Sequence, residues 1–169
     1  MNNIDYYIGN SRFMLAKALK KMLTGNRLVF LCVGTDKITG DCLGPLCGQL
    51  LTKKYNIPAF VYGNLNFPVH AKNLDEVISF IKKNHPDFKI VAIDSSLGPQ
   101  SNIGLIHFGK GQIKTGAAMR DEFVEVGDYF VTAVVNSGSQ IDNSNLFSTR
   151  LKVVDEIANC IASAIAEAI

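Results

Sequence analysis

Two short apolar runs constrain this chain more than any other feature. Leu28–Val33 is hydrophobic at every position and closes on Gly34; Ile90–Ile93 is hydrophobic throughout and closes on Asp94. Runs of this length without polar alternation suit strands buried on both faces, and such strands belong to parallel sheets covered by helices on each side. The segments between them have a helical period. Ser11–Leu23 places Phe13, Ala16, Leu19 and Leu23 on one face and Lys17, Lys20 and Lys21 opposite. A helix from about Leu43 to Tyr55 carries Pro45 in its first turn, where the missing N–H is harmless. Asn73 followed by Glu76 has the form of a capping box opening a helix to Asn84. Leu151, Val154, Ala158, Ile161 and Ile165 mark a long C-terminal helix.

Further strands are expected at Pro58–Tyr62, Ile103–Phe108 and Tyr129–Val135, the second close enough to Lys89–Ile93 to form an antiparallel hairpin with it. Gly109–Asp128 has no clear period. Strands alternating with helices predict a three-layer α/β/α sandwich around a mostly parallel twisted sheet. At 169 residues, with 47% hydrophobic and 19% charged, the chain suits a single compact domain over residues 1–169.

Several function classes are disfavoured. The net charge of +2 and the scattered lysines and arginines form no nucleic-acid stripe. No apolar run approaches the roughly 20 residues of a membrane helix, and the N-terminal residues lack the order of a secretion signal, so a cytoplasmic protein is expected. There is no GxGxxG, no phosphate loop with Lys-Ser/Thr, and no Gly-x-Ser-x-Gly elbow. Cys32, Cys42, Cys47 and Cys160 lack redox or zinc spacing and read as thiols without a disulfide between Cys42 and Cys47. The three histidines are too scattered for a closed zinc site. His85 is expected at the surface and His107 as a structural strand residue. No cofactor and no resident metal are expected.

In open α/β sheets, ligands bind beyond the carboxyl ends of the strands, where the strand order reverses. A sheet beginning in the order 2-1-3 brings together the loop after Leu28–Val33, which carries Asp41, and the end of Lys89–Ile93, which carries Asp94. Two sheltered carboxylates at one edge raise each other's pKa and can share a proton, activate water, or hold a metal. Each has a plainer alternative: Asp41 as the N-cap of the next helix, Asp94 as an Asx-type cap on its loop. His70, on the loop after the second strand, lies on the same edge. Asn136 and Ser137, past the last strand, are candidates for substrate contact, and a turn explains them equally well. Backbone N–H groups near Gly40 and Gly44 could face an oxyanion.

Five ordered blocks, GTDKITGDCLGP (34–45), VYGNLNFPVHAKNL (61–74), IVAIDSSLG (90–98), HFGKGQIKTGA (107–117) and VTAVVNSG (131–138), resemble the YyaC family of sporulation proteins. That family is regarded as related to the spore germination protease and, more distantly, to the hydrogenase maturation endopeptidases, with a phosphorylase/hydrolase-like α/β/α sandwich. The resemblance implies that Asp41 and Asp94 match the two aspartates taken as catalytic in the germination protease. It also implies that the histidine of the maturation enzymes is missing, since its segment would align with Gly109–Asp128, which contains none. The expected function is an aspartate-dependent endopeptidase acting on a protein or peptide in sporulation or germination, with self-association left open. The alternatives are an inactive peptide-binding regulator on the same fold, or a different hydrolase.

Overall fold

A computed structural model describes residues 2–5, 11–115, 124–139 and 143–169. Its centre is a six-stranded sheet. The strands are β1 (Asn2–Asp5), β2 (Leu28–Cys32), β3 (Phe60–Tyr62), β4 (Lys89–Gly98), β5 (Leu105–Lys110) and β8 (Tyr129–Ser137). They lie in the order β1-β5-β8-β4-β2-β3. β3, β2, β4 and β8 run parallel, and β5 runs antiparallel to both β8 and β1. A separate antiparallel ribbon joins β6 (Ile113–Thr115) and β7 (Val124–Val126). The fold is the mostly parallel α/β sheet with flanking helices that the apolar runs imply, and β3-β2-β4 has the expected 2-1-3 order.

Alternation along each strand divides the core into two layers. Phe30 and Cys32 of β2, Val91 and Ile93 of β4, and Val131, Ala133 and Val135 of β8 face three helices: α1 (Ser11–Leu23), α2 (Leu43–Gln49) and α4 (Leu151–Ala168). Val29, Leu31, Ile90 and Ala92 face the other way, toward α3 (Leu74–Asn84) and Val126 of β7. The helices present the stripes needed. Leu15, Leu19 and Leu23 of α1, Leu74, Ile78 and Ile81 of α3, and Val154, Ala158, Ile161 and Ile165 of α4 are buried at three- and four-residue steps. Each large apolar side chain so covered contributes about 1.5–3 kcal/mol.

The structure corrects several expectations. Phe13 is 59% exposed and Leu151 59% exposed, because the buried stripes run through Leu15 and Val154 instead. β4 does not stop at Asp94 but continues to Gly98, paired with β8 over its outer half. β5 begins at Leu105 and forms no hairpin with β4; its antiparallel neighbours are β8 and β1. The capping box at Asn73 does not form, since the Asn73 Oδ1 accepts the His70 N–H at 2.8 Å and closes the preceding turn. The helix from Leu43 is α-helical to Gln49 and then a π-helical turn over Leu50–Lys54, where the Thr52 hydroxyl donates to the Gly48 carbonyl at 2.8 Å. His85 is no plain surface residue: its Nε2 meets the Tyr62 hydroxyl at 2.7 Å and its ring lies 4.1 Å from that of Phe60. β1 and the β6–β7 ribbon were not anticipated. Part of the aperiodic stretch 109–128, namely 116–123, lies outside the described residues.

Candidate active site at the C-terminal edge of the sheet

Asp41 is delivered by a tightly folded loop. After β2 the chain turns at Gly34 (φ +138°), whose N–H donates to the Val69 carbonyl at 2.7 Å. A Cβ on Gly34 would lie 2.0 Å from the Asp41 carbonyl oxygen, so only glycine lets the loop fold back on itself here. Asp41 sits in a single 3-10 turn, Thr39–Cys42. The buried Thr35 donates its N–H to both the Asp41 carbonyl (3.1 Å) and Oδ2 (3.0 Å). The residue preceding α2 is Cys42, without a side-chain cap bond. The Asp41 carboxylate is therefore directed back over the end of β2 and does not cap α2.

Asp94 arrives from the neighbouring strand. Cys32 pairs with Ile93, and the Val33 N–H donates to the Ile93 carbonyl at 2.8 Å. Asp94 is the next residue, at the point where β2 leaves β4. It follows Ile90 and Ala92 by strand alternation and so stands on the α3 side of the sheet. Its Oδ1 accepts the Ser95 N–H at 2.7 Å, and its Oδ2 accepts from the Thr115 hydroxyl. Because Asp94 lies inside β4 and is gripped from β6, it is not the cap of a loop.

The two carboxyls are both half-buried and lie close enough for the Asp41 charge to act on Asp94. Burial pushes the Asp41 pKa up to about 6, against the opposing Thr35 N–H. Burial and then the Asp41 charge hold Asp94 well above the ordinary carboxylate range, opposed by Thr115 and Ser95. Such a pair retains a shared proton at pH values where isolated carboxyls are fully ionised. The nearest thiol is unsuited to nucleophilic work: burial and the charges of Asp36 and Asp41 raise Cys42 to about 11. All four cysteines are free thiols. Among the described residues no group of three or more His, Cys, Asp or Glu side chains is placed to hold a metal ion.

The remaining candidates divide. Val69 bridges to Val33, which brings the backbone of His70 to the rim beside Gly34, but the His70 Nδ1 accepts the Lys72 N–H at 3.3 Å. Gly40 and Gly44 are close-packing positions. A Cβ on Gly40 would lie 2.7 Å from Leu146 and Thr149 side-chain atoms, and one on Gly44 would lie 2.0 Å from the Val33 carbonyl oxygen. The Asn136 Nδ2 donates to the Asn145 carbonyl at 2.9 Å, and the Ser137 carbonyl accepts from Asn145 Nδ2 at 2.8 Å. Both thus fasten the 144–149 turn against the Asp41 loop. Thr115 is the residue that sequence reasoning missed. The block at 107–117 contains it, yet no periodicity or charge sets it apart.

The fold and this edge define a three-layer α/β/α protein with a coupled pair of carboxyls where the strand order reverses. The chain belongs to the DUF1256 family, a family of unknown function whose model matches residues 3–164. It is 34% identical over 166 residues to the uncharacterized protein YyaC of Bacillus subtilis (strain 168), covering 94% of this chain and 81% of that protein. Among solved structures it is similar to the NiFe hydrogenase maturation protease HycI of Thermococcus kodakarensis KOD1, at 14% identity and a TM-score of 0.48, covering 88% of this chain and 98% of that one.

Proposed function

We propose that this protein is an aspartate-dependent endopeptidase that cleaves a protein or peptide substrate in sporulation or germination. The carrying observation is the Asp41–Asp94 pair, two half-buried carboxyls whose pKa values burial raises, that of Asp94 further by the Asp41 charge, at the sheet edge where α/β proteins bind ligands. The sporulation setting comes from the family resemblance. In the singly protonated pair, the ionised carboxyl takes a proton from water as its oxygen attacks the scissile carbonyl carbon. The protonated carboxyl gives its proton to the carbonyl oxygen. Collapse of the tetrahedral species then breaks the C–N bond: the carboxyl that took the water proton gives it to the leaving nitrogen, a hydroxyl of the gem-diol returns its proton to the other carboxyl as the new carbonyl forms, and the pair is again singly protonated. Among the described residues no helix is long and apolar enough to cross a membrane, which suits a protein that meets its substrate in solution.

The test is to incubate the wild type, Asp41→Asn and Asp94→Asn with spore proteins and an unbiased peptide library, and to map new termini by mass spectrometry. Wild type should cut, and each variant should lose on the order of 10²–10⁴-fold in rate, the usual contribution of a general acid or base. Because burial pushes the Asp41 pKa up to about 6 and, with the Asp41 charge, holds Asp94 well above the ordinary carboxylate range, activity should rise through about pH 6 and fall again when the shared proton is lost. Wild type and variants cutting alike would overturn the reading. Specific peptide binding without cleavage would replace it with a binding function.

A further inference from the structure

Thr115 ends β6 with its side chain 2% exposed, and its hydroxyl donates to Asp94 Oδ2. The other oxygen, Oδ1, is held by the Ser95 N–H at 2.7 Å, so the carboxyl is fixed at both ends. A threonine hydroxyl is both donor and acceptor. It donates a charge-assisted bond to Oδ2 while Asp94 is ionised and can accept a weaker one from the same atom when Oδ2 carries the proton, so its loss disfavours the ionised form.

We propose that Thr115 is a positioning residue for the carboxyl pair, holding Asp94 in a fixed plane and keeping it hydrogen-bonded in both protonation states as the proton passes between Asp94 and Asp41. This rests on the paired-carboxyl reading above. Among the described residues, the other groups near Asp94 do not supply the same service. Asp41 acts on it by charge from the 39–42 turn. On β8, Thr132 is level with Asp94, and His107 of β5 is level with Thr132, one strand further away. Lys114, beside Thr115, is exposed and reaches Glu125 at 3.9 Å. Lys89 and Asp128 pair with each other at 3.0 Å at the opposite end of β4. His70 is engaged with Lys72 on its own turn, and Cys42 lies beside Asp36 and Asp41.

The experiment is a carboxyl-carbon NMR titration of Asp94, assigned with Asp94→Asn, in wild type, Thr115→Val and Thr115→Ser. Valine keeps the shape and removes the hydroxyl; serine keeps the hydroxyl. Valine should move the Asp94 midpoint upward by about one pH unit, a typical size for losing one hydrogen bond to the charged form, while serine stays close to wild type. Thr115→Ala replaces valine if the valine variant does not fold. An Asp94 midpoint unmoved by valine or alanine overturns the proposal, and so does an equal shift in serine, which would indicate packing alone. The titration needs no substrate. A shift in a protein that cleaves nothing removes the peptidase reading and leaves Thr115 in place; an unshifted midpoint in a protein that cleaves removes only Thr115. In an active protein, valine should lower kcat with KM little changed.

Discussion

At the scale of single residues, the carboxyl pair works against the fold that holds it. A carboxyl whose folded pKa lies above its unfolded value binds more protons folded than unfolded, so stability falls as pH rises through that window. For Asp41 the window runs from the model-compound value of 3.8 to about 6, and for Asp94 it extends higher. Asp94→Asn removes one of the two charges. In urea unfolding at pH 8 the variant should therefore be more stable than wild type. The difference should shrink toward zero as the pH falls below 3.8. A residue retained against stability in this way is what a functional pair leads one to expect. Asp41 and Asp94 are legible in the sequence because each comes after a fully apolar run, Asp41 in the loop beyond β2 and Asp94 directly after Ile93 within β4, where a polar residue stands out. Thr115 is not legible. Its hydrogen bond depends on a three-residue strand folding onto the end of β4, and nothing local encodes that approach.

At the scale of elements, α4 separates pattern from burial. Leu151 and Ile161 share one helical stripe in the sequence, yet Leu151 is 59% exposed and Ile161 is fully buried. Ile161→Ala should cost about 2–5 kcal/mol in denaturant unfolding, as large-to-small core changes do. Leu151→Ala should stay within about 0.5 kcal/mol. The helices and the strands β2 and β8 are readable because burial on one or both faces writes a period into the chain. The outer half of β4 is not. Beyond Ile93 the strand is only half-buried, and Asp94, Ser95 and Ser96 carry polar side chains that resemble a loop. β1 and the β6–β7 ribbon hide for a related reason: strands of three or four residues are too short to establish a period.

At the scale of the whole molecule, the thiols report on the integrity of the helical layer. Cys32 and Cys47 are completely buried between the sheet and the helices, Cys42 is nearly so, and Cys160 is only partly covered. Burial raises all four thiol pKa values, which slows thiolate chemistry throughout. A chromogenic disulfide reagent should therefore modify Cys160 first and slowly in the native protein, and all four thiols at once in denaturant; rapid native labelling of Cys32 or Cys47 would contradict the packing. The order of pairing also bears on how the protein can be made. β1 lies against β5, and Asn2 is matched with Phe108, about a hundred residues further along. At roughly 5–20 residues per second of synthesis, β1 waits several seconds before its partner exists. Only β2, β3 and β4 can pair during that interval; because β8, which links β5 to β4, is made after β5, β1 joins the main sheet only once β8 is in place.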